Sequence, residues 1–113
     1  MPRVVEYLNA QGASPYATWF RTLPAEAAAK ITAHMLRLEQ GNMSNVDPVG
    51  EGVSEKKIDY GPGYRLYFGQ DGRDLIVLLG GGSKKGQQAD IAAAKELWKD
   101  YKARKRLQQK KEK

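Results

Sequence analysis

The 113-residue chain has no cysteine and a single histidine, and none of its apolar runs is long enough to cross a membrane. Without cysteine there are no disulfides, thiol nucleophiles or thiolate metal ligands. His34 alone leaves a nitrogen- or sulfur-rich metal site short of ligands. The run Leu75-Ile76-Val77-Leu78-Leu79 falls far below the roughly 18 residues a spanning helix needs. Met1-Pro2-Arg3 leads straight into a strand-like segment, with no signal peptide pattern. A cytoplasmic protein without a membrane partner is expected, and the lack of cysteine agrees with that compartment. Gly80 to Gly86 resembles a phosphate loop but lacks its four-residue gap and Lys-Ser/Thr ending. No other cofactor motif occurs, so no cofactor is expected.

Positive charge is plentiful but unevenly spread. The net charge is +6, and residues 103–113 carry +5 of it through Arg104, Lys105, Arg106, Lys110, Lys111 and Lys113 against Glu112. The sequence therefore divides into one domain, residues 1–102, and a basic C-terminal tail, residues 103–113. A tail of this kind attracts polyanions without specificity, or is a solvated helix end. A hydrophobic content of 41% and a charged content of 28% suit one soluble domain with a core of its own.

Hydrophobic periodicity orders the domain. Arg3 to Leu8 reads as a strand, with Val and Tyr favouring extended backbone. Ser14-Pro15 is a helix start, a capping hydroxyl followed by proline at the first helical position; the helix runs to Thr22. Pro24 opens a second helix to Gln40, with Ala28, Ile31, Met35 and Leu38 as its apolar stripe. Residues 42–53 read as a polar connection. Three strands follow as a meander: Ser54 to Asp59, Gly63 to Phe68 and Arg73 to Gly80, the last broken by Gly80-Gly81-Gly82. Ile91, Ala94, Trp98 and Tyr101 mark the inner face of a final helix beginning at Gln87 or Gln88. Trp19, Trp98 and Tyr101 lie on such stripes and are core residues. The expected fold is α+β: a mostly antiparallel four-stranded sheet with an N-terminal helical hairpin and a C-terminal helix, in the order β-α-α-β-β-β-α.

The segment from Gly50 to Phe68 carries the functional signal. With Tyr60-Gly61-Pro62 as the loop, Ile58 faces Tyr64, Lys57 faces Arg65 and Glu55 faces Tyr67. Directly opposed residues of an antiparallel pair share a side of the sheet. One face then collects Ile58, Tyr64, Leu66 and Phe68, and the other collects Glu55, Lys57, Arg65 and Tyr67. A one-residue slip would mix the two sets. Antiparallel pairing also brings the end of the Leu75–Leu79 strand beside Arg65, so that Ser83, Lys84 and Lys85 emerge there. Several cations, one carboxylate and an aromatic ring converge at one end of one face. A phosphodiester matches that set, since guanidinium and ammonium groups complement phosphate oxygens and stabilise a pentavalent transition state. The same charges also suit a strand guarded against aggregation.

Certain residues follow a familiar pattern: Gly41-Asn42, Gly50-Glu51-Gly52-Val53, Glu55, the block Ile58-Asp59-Tyr60-Gly61-Pro62-Gly63-Tyr64-Arg65, Tyr67-Phe68, Leu79, Gly81-Gly82, Lys84, Gln87, Asp90-Ile91 and Trp98. This pattern resembles the RelE/ParE superfamily of type II toxins, and within it the HigB-like, phage-related addiction module killer branch. The resemblance covers residues from about 3 to 101. It implies a microbial RNase-like fold, a cognate antitoxin of helix-turn-helix type, and operator DNA met only through the antitoxin complex. It further implies metal-independent cleavage of mRNA on the ribosome, in which the RNA 2′-hydroxyl attacks the adjacent phosphate and leaves a cyclic phosphate. By position, Arg65 matches the strand arginine that contacts the scissile phosphate. Lys57 stands where this branch has arginine, and Lys84 where it keeps lysine. Ser83 replaces an aspartate and Lys85 a small residue, both additions of positive charge. Arg65, Lys57, Lys84 and Glu55 are thus the expected catalytic set, with Glu55 or a lysine moving the proton. Lys56, Tyr67, Lys85 and Gln87 are the expected RNA contacts. ParE-type members poison DNA gyrase with the same fold, which leaves a gyrase poison, or a co-repressor acting with its antitoxin, as alternatives.

Overall fold

The structure, a computed structural model, describes residues 2–111. Met1 and residues 112–113, the last two of the basic tail, lie outside the described residues. The elements are β1 (Arg3–Glu6), α1 (Pro15–Phe20), α2 (Ala25–Glu39), β2 (Val46–Gly50), β3 (Val53–Ile58), β4 (Tyr64–Asp71), β5 (Leu75–Ser83) and α3 (Gln87–Lys111), with one 3-10 turn at Lys84–Gly86 between the last two. The α+β class is as expected. Among the described residues no helix is long and apolar enough to cross a membrane.

The sheet has five strands in the order β1-β5-β4-β3-β2, one more than expected. The additional strand is β2, which pairs antiparallel with β3 through Val46 opposite Lys56 and Asp47 opposite Glu55. Pro48 obscures it in the sequence, because proline cannot donate to a ladder; on an edge strand it is tolerated. Gly50, Glu51 and Gly52 all have positive φ, at 103°, 54° and 84°, and these three residues close the hairpin in backbone that glycine favours. β1 runs parallel to β5 at the other edge and stops at Glu6, before Leu8.

β5 also differs from expectation. The glycine run does not break it: Gly80 pairs with Tyr67, Gly81 with Leu66 and Gly82 with Arg65. The irregularity is a bulge between Tyr67 and Phe68, whose partners are Gly80 and Leu78. Absent side chains are what the glycines contribute. A Cβ on Gly81 would come within 2.3 Å of the Trp19 ring, and one on Gly82 within 2.0 Å of the Asp90 carboxylate.

β5 lies in the sheet interior, and Ile76, Val77, Leu78 and Leu79 are all buried, as the unalternating run foretells. Their side chains alternate between two cores. Ile76 and Leu78 join Tyr16, Ile31, Leu38, Ile58, Leu66 and Phe68 under α1 and α2. Val77 and Leu79 join Tyr7, Val53, Tyr67, Ala94 and Trp98 under α3. The helical hairpin and α3 therefore cover opposite faces. On α2 the buried small residue is Ala27, with Ala28 half-buried, so the stripe is rotated slightly from the sequence reading. At α1, Ser14 Oγ accepts from Ala17 N at 3.0 Å, and Pro15 follows it. Trp98 packs directly over Gly69, where a Cβ would fall 2.5 Å from its ring.

α3 is fastened to the sheet by polar contacts as well. Tyr101 donates to Asp71 at 2.6 Å, and Lys105 pairs with the same carboxylate at 2.6 Å. Tyr7 donates to Asp100 at 2.6 Å, and Arg104 bonds both Asp100 and the Leu8 carbonyl. Lys105 and Tyr101 hold the Asp71 carboxyl below its ordinary range, Lys105 contributing most.

Two outcomes are expected. Gly69→Ala forces a methyl into the buried Trp98 ring and costs about 2 kcal/mol, a fall of roughly ten degrees in Tm; an unchanged melting midpoint would contradict this packing. Asp71→Asn costs about 1 kcal/mol at pH 7, the value of a modest hydrogen-bonded pair. Because the folded-state pKa is depressed, the contribution is complete above the unfolded value near 3.9 and is lost as pH falls through the folded one. Urea unfolding should accordingly show the gap between wild type and variant closing as the pH falls below the unfolded value and through the depressed folded one.

Candidate active site

The β3–β4 register is the one the alternation demands: Glu55 opposite Tyr67, Lys57 opposite Arg65 and Ile58 opposite Tyr64. It places Glu55, Lys57, Arg65 and Tyr67 on the α3 side of the sheet. Tyr64 pairs with Ser83 and Arg65 with Gly82, so the segment Ser83-Lys84-Lys85 leaves the sheet beside Arg65. A Cβ at Gly63 would lie 3.5 Å from Arg65 Nη1 and 3.6 Å from Lys84 Cβ; the guanidinium and the Lys84 side chain flank one point of the β3–β4 turn.

At the centre is a buried ion pair. Arg65 Nε lies 3.5 Å from Glu55 Oε2, with the two side chains 10% and 2% exposed. Arg65 Nη1 donates to the Gly63 carbonyl at 2.9 Å. Gln87, the first residue of α3, donates to Glu55 Oε2 at 2.7 Å. The carboxylate is therefore held between a strand cation and a helix amide, with almost no water contact. Such a pair costs much to desolvate and more to break, because the surviving partner is left charged in a low dielectric.

Among the described residues, Arg65 Nε and the Tyr67 hydroxyl are buried in this centre without a hydrogen-bond partner. Burial pushes the Tyr67 phenol up, and the neighbouring Glu55 charge pushes it further. Tyr67 is 1% exposed, so its ring is a core element that presents no stacking surface. Asp90 supplies a second carboxylate, packed against the Gly82 backbone. Burial raises its carboxyl pKa, and its charge adds to the upward shift of Tyr67. Composition and spacing gave no reason to place Asp90 near Tyr67; only the close packing of Gly82 under α3 brings it there.

Around this buried centre the expected contacts divide. Lys84 and Lys85 are exposed at the strand end, and Gln87 is half-buried. Lys57 is exposed and only 3.9 Å from Asp47 on β2, a contact worth little in water. Lys56 is on the other face, where the period of two puts it. It is 1% exposed, and its ammonium donates to the Ser44 carbonyl at 2.9 Å. Burial first, and Arg37 second, lower its pKa. Lys56 therefore stands outside the Arg65 centre. His34, on α2, lies beside Arg37 at 3.4 Å, and its pKa is lowered by burial and by Arg37, Lys56 and Lys30.

Residues 18–102 match the family described as Phage derived protein Gp49-like (DUF891). The chain belongs to that family, a family of the RelE/HigB-like toxin type. An uncharacterized protein of Haemophilus influenzae is similar, 44% identical over 71 residues that span 63% of this chain and 72% of that one. Within the matched range lie all of the strands β2 to β5, and with them Glu55, Arg65, Lys84 and Asp90.

The ion pair makes a measurable claim. Glu55→Ala strands Arg65 without its carboxylate and should cost about 3 kcal/mol, with Glu55→Gln, which keeps the partner volume, costing less. In a double-mutant cycle with Arg65→Ala, the paired loss should be clearly smaller than the sum of the two single losses. Additive losses would show that the two groups act independently.

Proposed function

We propose that this protein is the toxin of a type II toxin–antitoxin pair and acts as a ribosome-dependent mRNA endonuclease that arrests translation. The observation that carries the reading is the placement of Arg65: a strand guanidinium held by Glu55 and the Gly63 carbonyl at the point where Lys84 leaves the sheet. Membership of a toxin-type family supports it. A cognate antitoxin, expected to be a helix-turn-helix protein, would cover this surface in the resting cell and carry the complex to operator DNA.

In this reading the 2′-oxygen of the RNA bonds to the adjacent phosphorus as the bond to the 5′-oxygen breaks. The products are a 2′,3′-cyclic phosphate and a 5′-hydroxyl. Arg65, which keeps 10% of its side chain exposed, and the exposed lysines Lys57 and Lys84 neutralise the oxygens of the pentavalent state. Glu55 is 2% exposed and bonded to Gln87, which suits a group that orients Arg65 better than one that must reach a substrate proton. The 2′-hydroxyl proton passes to water at this exposed mouth, and water or a neighbouring ammonium protonates the leaving oxygen. Lys85 and Gln87 border the same mouth and would touch the RNA.

The test is expression without antitoxin, with mapping of mRNA 5′ ends. Wild type should arrest growth and cut translated messages at fixed codon positions. Arg65→Ala and Arg65→Lys should each lower cleavage by about 100-fold or more; the lysine variant keeps a charge beside Glu55 and guards against misfolding. Full toxicity in folded variants of both kinds would remove Arg65 from the mechanism. Intact mRNA accompanied by a DNA-damage response would assign the protein to the gyrase poisons instead.

A further inference from the structure

The family match ends at residue 102, but α3 continues as helix to Lys111. This extension adds about 13 Å at 1.5 Å per residue. The cations of α3 from Lys102 to Lys110 fall into two groups. Arg104 and Lys105 turn toward the domain. Arg104 bonds Asp100 and lies 5.2 Å over the Tyr7 ring, and Lys105 bonds Asp71. Lys102, Arg106 and Lys110 are exposed, and among the described residues no ion pair engages them. Spaced four residues apart, they form a single file along one side of the helix, about 6 Å from one to the next. At its root is a groove of about 290 Å³ against the end of β4, lined by Gln70, Trp98, Tyr101, Lys102 and Arg106 among others.

We propose that Lys102, Arg106 and Lys110 form a docking row for the phosphate backbone of structured RNA, separate from the Arg65 centre. The choice of RNA over DNA rests on the ribonuclease reading above. The row has the character of a backbone contact: regular like charges on a rigid element, which position a nucleic acid without reading its sequence. A membrane surface is disfavoured, because Leu107 is the only large apolar side chain of this segment and an interfacial helix needs an apolar face. A protein partner is disfavoured because the groove beside Arg106 and Lys110 offers a single large apolar side chain, Leu107, where an anchored protein interface needs a cluster.

The test uses the full chain and a fluorescently labelled 20-base-pair RNA duplex, with binding measured across a salt series. In the triple variant Lys102→Gln, Arg106→Gln, Lys110→Gln, affinity at moderate salt should fall tenfold or more. The slope of log affinity against log salt should shrink by about two to three, one unit for each lost phosphate contact. Circular dichroism should show unchanged helix content, since all three side chains are exposed. Binding within twofold of wild type and an unchanged slope would overturn the proposal. Tighter binding of the same-sequence DNA duplex, or displacement of the RNA by polyglutamate at equal charge, would overturn it too. This assay reads binding and not cleavage. A failure here leaves the role of Arg65 standing, and full toxicity of the Arg65 variants leaves the row standing.

Discussion

Three elements meet at the Glu55 carboxylate. β3 supplies it, β4 opposes it with Arg65, and the first residue of α3 closes it with Gln87. Charge in so dry a position is tolerable only when every partner is in place. The strand register, the hairpin turn and the seat of α3 are therefore coupled. A slip of one residue in β4 would put Leu66 where the guanidinium belongs, and a shift of α3 would withdraw the amide. The same demand explains why the strand end is built of glycine. Gly82 leaves room for Asp90, and Gly63 lends its carbonyl to Arg65. The site is thus set by backbone approach as much as by side-chain chemistry.

Much of this was legible in the sequence because period-two alternation has a single consistent solution at the β3–β4 hairpin. Ile58, Leu66 and Phe68 had to share a face, and that forced Glu55, Lys57, Arg65 and Tyr67 onto the other. The unbroken run Leu75 to Leu79 likewise implied a strand covered on both sides. Other features were hidden for reasons that are equally physical. β2 contains a proline and ends on a glycine, so its local preferences speak against a strand, and only pairing with β3 and the positive-φ turn fix it. The glycines after Leu79 read as a break because sequence cannot show Trp19 and Asp90 waiting above them. Lys56 was grouped with its neighbour Lys57, although alternation already separates them. Its burial depends on the Ser44 carbonyl, which belongs to the loop after α2.

Charge in this protein is sorted by depth. The buried set, Glu55, Arg65 and Lys56, is held by short-range bonds and belongs to architecture first. The exposed set, Lys57, Lys84 and Lys85 near the site and Lys102, Arg106 and Lys110 on the helix, faces solvent, with Lys57 loosely paired to Asp47. Between them, Asp71, Asp100, Arg104 and Lys105 spend their charge on fastening α3. The sequence total of +6 conceals this division, because it counts a sequestered guanidinium and a solvated ammonium alike.

α3 is one unbroken helix from Gln87 to Lys111, and Gln87 touches the carboxylate that orients Arg65. From that residue to Arg106 the helical rise amounts to about 28 Å. The helix is consequently a ruler. Whatever its far end grips is held at a set distance from the strand end, along a direction fixed by the packing of Trp98 on Gly69. On the proposed reading, the span between an anchoring point and a reacting phosphate would be a property of the protein itself.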